Sequence, residues 1–429
     1  MAAKLLFVCL DGLGDDPIPA FDGRTPLEAA DTPNLDGLAR RGRTGTVVTV
    51  GPGIAPESDI GVFGILGYDP HEEHPGRGVL ETIGIGMDFR DGDLAYRINF
   101  ASGSWPEIDD RRVGRNLTSE EAAGLADEVN ADLRLVGATF ALRSTVEHRG
   151  ALVIRADDGQ LSAEVSNTDP AYRREGSMGV ALESFEPRVA PAEPLDGSAE
   201  AEHAADLTNA FVEGAARVLD ASKINARRRA EGKLPGNLIL TRDGGDRRPR
   251  LEPIRDRFGL AWGCFVEMPV ERGIALALGM EPVDAPRLDP SGWGPAAEDA
   301  YTIWARLASE ALQGFQALYV HLKGPDVPAH DGRFEDKRDV VSSIDRAFFG
   351  EVLRGVDLAR TVVVVTADHA TSCVRKAHTA EPVPLLVAGG PVTPDGSEAF
   401  GERDCAAGSL GMLLGPQILP RVVELVAAG

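Results

Sequence analysis

Thr361–His378 reads TVVVVTADHATSCVRKAH, and this stretch decides the architecture. Four consecutive valines form the short apolar run that a strand buried on both faces needs. The run stops at Asp368-His369, an oxygen ligand beside a nitrogen ligand, with His378 a few residues further on. A buried strand that ends in Asp-His carries two metal-binding groups to the carboxyl edge of a sheet. Open α/β sheets bind ligands at that edge.

Working outward, other strand ends carry similar groups. KLLFVCL (4–10) predicts a strand, and Asp11-Gly-Leu-Gly-Asp-Asp16 follows at once. Its glycines allow a tight turn and a close approach of ligand to backbone. As a dinucleotide loop it is a weak match, because the third glycine and the helix after it are missing. ALYVH (317–321) predicts another strand and runs into LKGPDVPAHDG, with Asp326 and His330 four apart. Val383–Ala388 predicts a last strand and Ser409–Ala428 a closing helix. GPGIAPESD (51–59) leads into the helix-like IGVFGILGY, with Ser58 at its start. Serine in that place is usually an N-cap. The functional alternative is a nucleophile at the positive end of a helix dipole, where a phosphate would be stabilised.

Three carboxylates (Asp11, Asp326, Asp368) and three imidazoles (His330, His369, His378) are enough for two divalent ions near Ser58. Two ions about 3.5–4 Å apart clamp the attacking and leaving oxygens of phosphoryl transfer. Mixed N/O ligation suits Mn²⁺, Zn²⁺ or Co²⁺ better than Ca²⁺. Taken singly, each aspartate can cap a turn and each histidine can be an ordinary core or surface residue. The joint pattern weighs more, because histidine is scarce, with eight in the chain.

Composition bounds the partners. With 429 residues, 43% of them hydrophobic, two domains are expected. A net charge of −23 argues against nucleic acid, whose phosphates call for clustered Lys and Arg. Cys9, Cys264, Cys373 and Cys405 form no CxxC, which fits a reducing compartment. No apolar run reaches the ~18 residues of a membrane helix, and no signal peptide is legible, so a soluble cytoplasmic protein is expected. Between about Asp69 and Asn237 the texture changes to short alternating runs, polar turn clusters and amphipathic helices, the longest expected over Glu200–Glu231. That order suggests a compact α+β domain inserted between the halves of the first. NLILTR (237–242) then restarts the buried-strand pattern, so the boundaries are placed at 1–72 and 236–429 for the first domain and 73–235 for the insertion.

The motifs together resemble the cofactor-independent (2,3-bisphosphoglycerate-independent) phosphoglycerate mutases, in their archaeal-type branch, within the alkaline phosphatase superfamily. DGLGD, GRTPLEAADTPNLDGLA, GPGIAPESD, DRRVGR, NLILTRDGG, HLKGPDVPAHDG, TADHAT and KAHTAEPVP carry the resemblance along almost the whole chain. It implies an alkaline-phosphatase-like α/β sheet with helices on both faces, plus an inserted smaller α+β domain. Ser58 would accept the phosphoryl group. One ion would be bound by Asp11, Asp368 and His369 with Ser58 beside it, and the second by Asp326, His330 and His378. Mn²⁺ is the first expectation, with Zn²⁺, Co²⁺ or Mg²⁺ as alternatives. Arg112 and Arg115, with Arg97, would hold a small phosphorylated acid, since guanidinium forks suit both carboxylate and phosphate. Lys323 would screen phosphate charge. The implied reaction interconverts 3-phosphoglycerate and 2-phosphoglycerate with no bisphosphoglycerate cofactor, the inserted domain closing to exclude water. A homo-oligomer is left open.

Two departures bear on the substrate. Archaeal members commonly carry Thr-Ala-His-Leu after the Ser-Asp pair, where this chain has Ile60-Gly-Val-Phe63. The loop SGSWPEIDD (102–110) has no counterpart in the family pattern. A metal-dependent phosphatase, or a mutase-like enzyme on another phosphorylated or phosphonate acid, is therefore the near alternative. A non-catalytic metal-binding protein is the alternative of another class, though such a protein has no need for a serine beside two metal positions.

Overall fold

The computed structural model describes residues 4–428 apart from 177, 183 and 289–292. The chain divides into two compact units. One comprises Met1–Glu73, Leu251–Met268 and Ala275–Gly429, and the other His74–Arg250 with Pro269–Ile274.

The first unit is built on an eight-stranded sheet. Its central strand, Lys4–Leu10, pairs in parallel with Ala317–Leu322 on one side and Thr361–Thr366 on the other. Leu10 lies opposite Leu322, and Cys9 opposite Thr366, so the three strands end at one edge. Trp262–Phe265 and Glu281–Pro282 extend the parallel part. Val383–Gly389 runs antiparallel to the valine strand, Gly42–Val48 antiparallel to that, and Gly411–Leu414 closes the far side. Every residue of Thr361–Thr366 is buried, so both faces of that strand are covered. Burying a valine contributes roughly 1.5–3 kcal/mol, against about 0–1 kcal/mol for an exposed ion pair. Apolar burial therefore sets where the strand lies, and Asp368-His369 follow to its edge. Helices Pro33–Ala39, Pro295–Gly314, Glu402–Ala407 and Ile418–Ala428 pack against these strands.

The closing segment differs from the expected single helix. Gly411–Leu414 is a strand, and the helix begins only at Ile418. Ladder pairing with Gly45–Val48 and burial of Leu413 outweigh the helical pattern there.

The second unit centres on Leu94–Ser104, which pairs antiparallel with Arg149–Ala156 and with Leu238–Gly245. Ala138–Ser144 lies beyond Arg149–Ala156, and Glu107–Asp110 pairs with the end of the long strand. Tyr96, Ile98 and Phe100 join the core formed with helices Ser119–Asp132 and Ala199–Asp220. The period-2 pleat sends Ala95, Arg97 and Asn99 to the other face. Leu238–Gly245 belongs to this sheet and not to the first, so the boundary expected at 235/236 lies at 250/251. A buried apolar run says that a strand is internal, not which sheet it enters. The long helix expected over Glu200–Glu231 breaks into Ala199–Asp220 and Lys223–Ala230, because the Ser222 side chain caps the second helix. Among the described residues no helix is long and apolar enough to cross a membrane, and all four cysteines are free thiols.

Candidate metal centre and anion cluster

Three adjacent parallel strands deliver most of the first unit's site. Asp11 follows Lys4–Leu10 and Asp368-His369 follow Thr361–Thr366. Asp326 opens the short helix Asp326–Asp331 after Ala317–Leu322. A small hairpin, Ala370–Ser372 with Ala377–Thr379, folds His378 back opposite Thr371. Ser58 is the first residue of helix Ser58–Ile65, whose N-cap is Glu57 with no side-chain capping bond. The Ser58 hydroxyl is not a cap: its Oγ lies 3.1 Å from His369 Nε2.

Close backbone packing makes this geometry possible. A Cβ on Gly61 would lie 2.1 Å from the carbonyl oxygen of Asp368, so the serine helix can seat against that loop only with glycine there. Gly12 has φ +63°, and a Cβ on it would lie 2.8 Å from the Cβ of Asp326. Buried Lys337 ties two loops together, donating to Gly14 O at 3.0 Å, Asp15 Oδ2 at 2.9 Å and Thr371 O at 2.8 Å.

The ligand-type groups fall into two clusters. In the first, His369 Nε2 lies 3.4 Å from both Asp11 Oδ1 and Asp368 Oδ2. These two carboxylate oxygens are buried and have no hydrogen-bond partner among the described residues. Buried polar atoms are nearly always paired, so two orphaned anionic oxygens beside an imidazole fit a cation. In the second cluster, Asp326 Oδ1 lies 3.4 Å from His330 Nε2 and 3.6 Å from His378 Nε2. Thr371 bridges the two, donating to Asp326 Oδ1 at 2.7 Å while its oxygen lies 3.0 Å from His369 Nδ1. That arrangement makes His369 Nδ1 the protonated nitrogen and leaves the Nε2 lone pair toward Ser58 and the carboxylates. His378 Nδ1 donates to Pro56 O at 2.7 Å, and His330 Nδ1 to Lys376 O at 3.3 Å. Their Nε2 atoms, like that of His369, point inward.

Electrostatics separates the carboxylates. Burial pushes the Asp11 carboxyl up, but Lys323 at 2.8 Å, with His321 and His369, outweighs it and holds it well below the usual range. Asp368 is raised, by burial first, with Asp11 adding to the effect. Asp326 is lowered because its histidine neighbours outweigh burial and the charge of Asp11. Burial lowers His378, yet its contact with Asp326 prevails and lifts it to about 10.

This Ser/Asp/His geometry has relatives. The family model of 2,3-bisphosphoglycerate-independent phosphoglycerate mutase matches residues 39–225. An Aeropyrum pernix protein of that name is 41% identical, over 99% of this chain and 100% of its own. The chain belongs to the 2,3-bisphosphoglycerate-independent phosphoglycerate mutase family. A solved structure described as the cofactor-independent phosphoglycerate mutase of Thermoplasma acidophilum is 31% identical, covers 99% of this chain and 100% of its own, and superposes with a TM-score of 0.64. A protein of solved structure from Pyrococcus horikoshii gives a TM-score of 0.81 at 29% identity, over 100% and 98% of the two chains.

The second unit of this family member carries a buried cluster of the opposite sign. Arg97 and Arg242 face each other across paired strands, and both are buried. Two guanidinium nitrogens of Arg97 have no hydrogen-bond partner among the described residues, although Glu81 stands 3.6 Å away. Burial, then Arg242 and Arg77, push Arg97 down to about 9. His148 is pushed down to about 3, by burial and then by Arg149, Arg112, Arg97 and Arg115. The Arg242 guanidinium stacks 3.7 Å over the Tyr172 ring. Arg112 is partly buried and Arg115 exposed. Both sit in a turn where Val113, Gly114 and Arg115 all have φ between 52° and 60°. Left-handed backbone at a β-branched residue such as Val113 is strained.

All seven expected metal and nucleophile residues come together in the first unit. Arg112, Arg115 and Arg97 contribute to one field of positive charge in the second. Arg242, His148, Thr371, Lys337 and His321 were not singled out from sequence. The one available signal was an arginine closing the apolar run NLIL, where a charge has no reason to be unless something needs it.

Proposed function

We propose that this protein interconverts 3-phosphoglycerate and 2-phosphoglycerate through a phosphoserine at Ser58, with divalent ions at the two clusters and no bisphosphoglycerate. The observation that carries the reading is the Ser58 hydroxyl, turned away from helix capping and set 3.1 Å from His369 Nε2 beside two orphaned carboxylate oxygens. Family membership supports it.

Asp11, Asp368, His369 and Ser58 would hold one ion, and Asp326, His330 and His378 the other. Mn²⁺ is the first candidate, ahead of Zn²⁺, Co²⁺ and Mg²⁺. Such ions lower the pKa of a nearby hydroxyl and neutralise phosphoryl oxygens. Ser58 Oγ attacks phosphorus in line, the bond from phosphorus to the glycerate oxygen breaks, and the released oxygen takes a proton. The other hydroxyl of the retained glycerate then takes the phosphoryl group back. Lys323, 2.8 Å from Asp11, adds positive charge at the same sheet edge. Arg97, Arg242, Arg112 and Arg115 supply forked donors for the substrate's carboxylate and phosphate. The free thiols support a cytoplasmic setting.

The test is direct. Purified protein given 3-phosphoglycerate and Mn²⁺, without bisphosphoglycerate, should form 2-phosphoglycerate with little free phosphate. Ser58→Ala should lower turnover by roughly 10⁴-fold or more while metal uptake, followed by calorimetry, persists. A fully active Ser58→Ala protein, or phosphate as the sole product, overturns the proposal.

A further inference from the structure

We infer that Asp110 is a positioning residue for the basic cluster: its carboxylate sets the left-handed turn Val113–Arg115 that presents Arg112 and Arg115. This rests on the reading above that these arginines hold the substrate.

The turn is unusual in its backbone. Val113, Gly114 and Arg115 have φ of 53°, 60° and 52° in succession. Glycine adopts that region freely, whereas residues with a Cβ visit it singly and at a cost. Such a conformation persists only where its surroundings over-determine it.

The restraints come from both sides. Before the turn, Asp110 Oδ1 accepts two backbone N–H groups, from Arg112 at 2.7 Å and from Gly114 at 3.0 Å. Asp110 is the last residue of the strand Glu107–Asp110 and pairs with Ser102, so its carboxylate starts from a fixed place. Val113 is fully buried in the core of the unit. After the turn, buried Arg228 donates to Asn116 O at 3.3 Å and to the Asn116 side chain, and is itself held by Glu121 Oε2 at 2.6 Å. Asp110 thus acts on the turn itself, and Arg228 on the residue that follows it. Asp110 also closes SGSWPEIDD, the loop without counterpart in the family pattern, and this gives that loop a task.

The turn directs two guanidinium groups. Arg111, just before it, is committed to a forked pair with buried Asp169 at 2.9 and 2.6 Å. Among the described residues no carboxylate pairs with Arg112 or Arg115. Their charges join those of Arg149 and Arg97 in keeping His148 unprotonated. The turn therefore brings two uncommitted forks into the field of the buried cluster, where a carboxylate or phosphate would meet them.

Asp110→Ala, Asp110→Asn and Arg112→Met test this, with kcat and KM for 3-phosphoglycerate and hydrogen exchange over residues 111–116 as readouts. Asp110→Ala should raise KM roughly 10-fold with kcat nearly unchanged, the pattern of lost ground-state binding, and exchange across the turn should quicken. Asp110→Asn removes the same charge but keeps an oxygen acceptor, so it should restore most of the wild-type KM and the slow exchange. A purely structural Asp110 would shift melting and leave KM alone. An unchanged KM in Asp110→Ala, while Arg112→Met raises it, overturns the inference. So does an Asp110→Asn protein as impaired as Asp110→Ala, which would make the charge and not the turn responsible. If Arg112→Met itself leaves KM unchanged, the substrate reading of these arginines fails first and takes the inference with it.

Discussion

The two units solve mirror-image electrostatic problems. At one sheet edge the first unit buries Asp11 and Asp368 with two unsatisfied oxygens. On one sheet face the second buries Arg97 opposite Arg242. In each, like charges are held together where water cannot screen them. Burying like charges side by side is costly even with Lys323 beside Asp11 and Glu81 near Arg97, so neither arrangement is there for stability. The difference lies in the donors. The acidic cluster consists of short side chains at strand ends, rigidly placed, as suits a small cation. The basic cluster consists of long forked side chains at mid-strand and on a strained turn, as suits larger anions.

Several experiments would break or sharpen this contrast. Asp368→Asn should have the largest effect. It keeps the Oδ1 acceptor for Gly12 N and His369 N but removes a carboxylate charge that burial disfavours. Mutase turnover should fall roughly 10³-fold, while the melting temperature in chelator rises. A lower melting temperature would show that the cluster stabilises the fold.

Arg97→Met applies the same logic to the other sign. kcat/KM should fall roughly 10–150-fold, the range of lost charge-assisted hydrogen bonds. Without anions the variant should melt no lower than wild type, and it should lose much of the stabilisation that sulfate gives. Equal sulfate stabilisation in both proteins would remove the basic cluster from substrate binding.

A pH series separates the second metal position from the first. His378 is raised to about 10 by Asp326 against the effect of burial, so in chelator its proton is held at neutral pH. Its pairing contributes stability that is fully present below about 6.5 and is lost as pH rises through 10. An ion at Asp326, His330 and His378 must expel that proton. Affinity for the weaker of two Mn²⁺ ions should therefore rise between pH 6 and 8, as calorimetry can follow. A flat profile would place that ion elsewhere.

Thr118→Ala is the control and the smallest effect. Thr118 and Glu121 form a reciprocal capping box on helix Ser119–Asp132, and neither is among the residues of the two clusters. The loss should be about 1 kcal/mol, read by thermal melting, with metal affinity and KM unchanged.

How much of this was legible in the sequence depended on the kind of signal. Asp11, Asp326, Asp368 and His369 could be read because each follows an apolar run whose end marks a sheet edge. Arg242 and His321 could not, since each lies within a strand, where one polar residue looks like noise until its cross-strand neighbours are known. Arg242 matters because Arg97 is opposite it, and His321 because its ring reaches Asp11 and Asp368. The placement of Leu238–Gly245 was hidden for a related reason: its apolar pattern fits either sheet, and only pairing with Leu94–Ser104 chooses.

Taken by itself, the sequence determined the α/β core, the strand ends that carry chemistry, the serine and the family. These depend on local periodicity, on residue type and on motifs that survive without coordinates. The tertiary structure alone decided that Ser58 faces His369 instead of capping its helix, that His378 folds back beside Asp326, and that Arg97 meets Arg242. Each depends on register and close approach between segments distant in the chain, such as Gly61 against Asp368. The valine strand that ends in Asp368-His369 shows both sides: burial sends it to the centre of the sheet, and its parallel neighbours make its end a site.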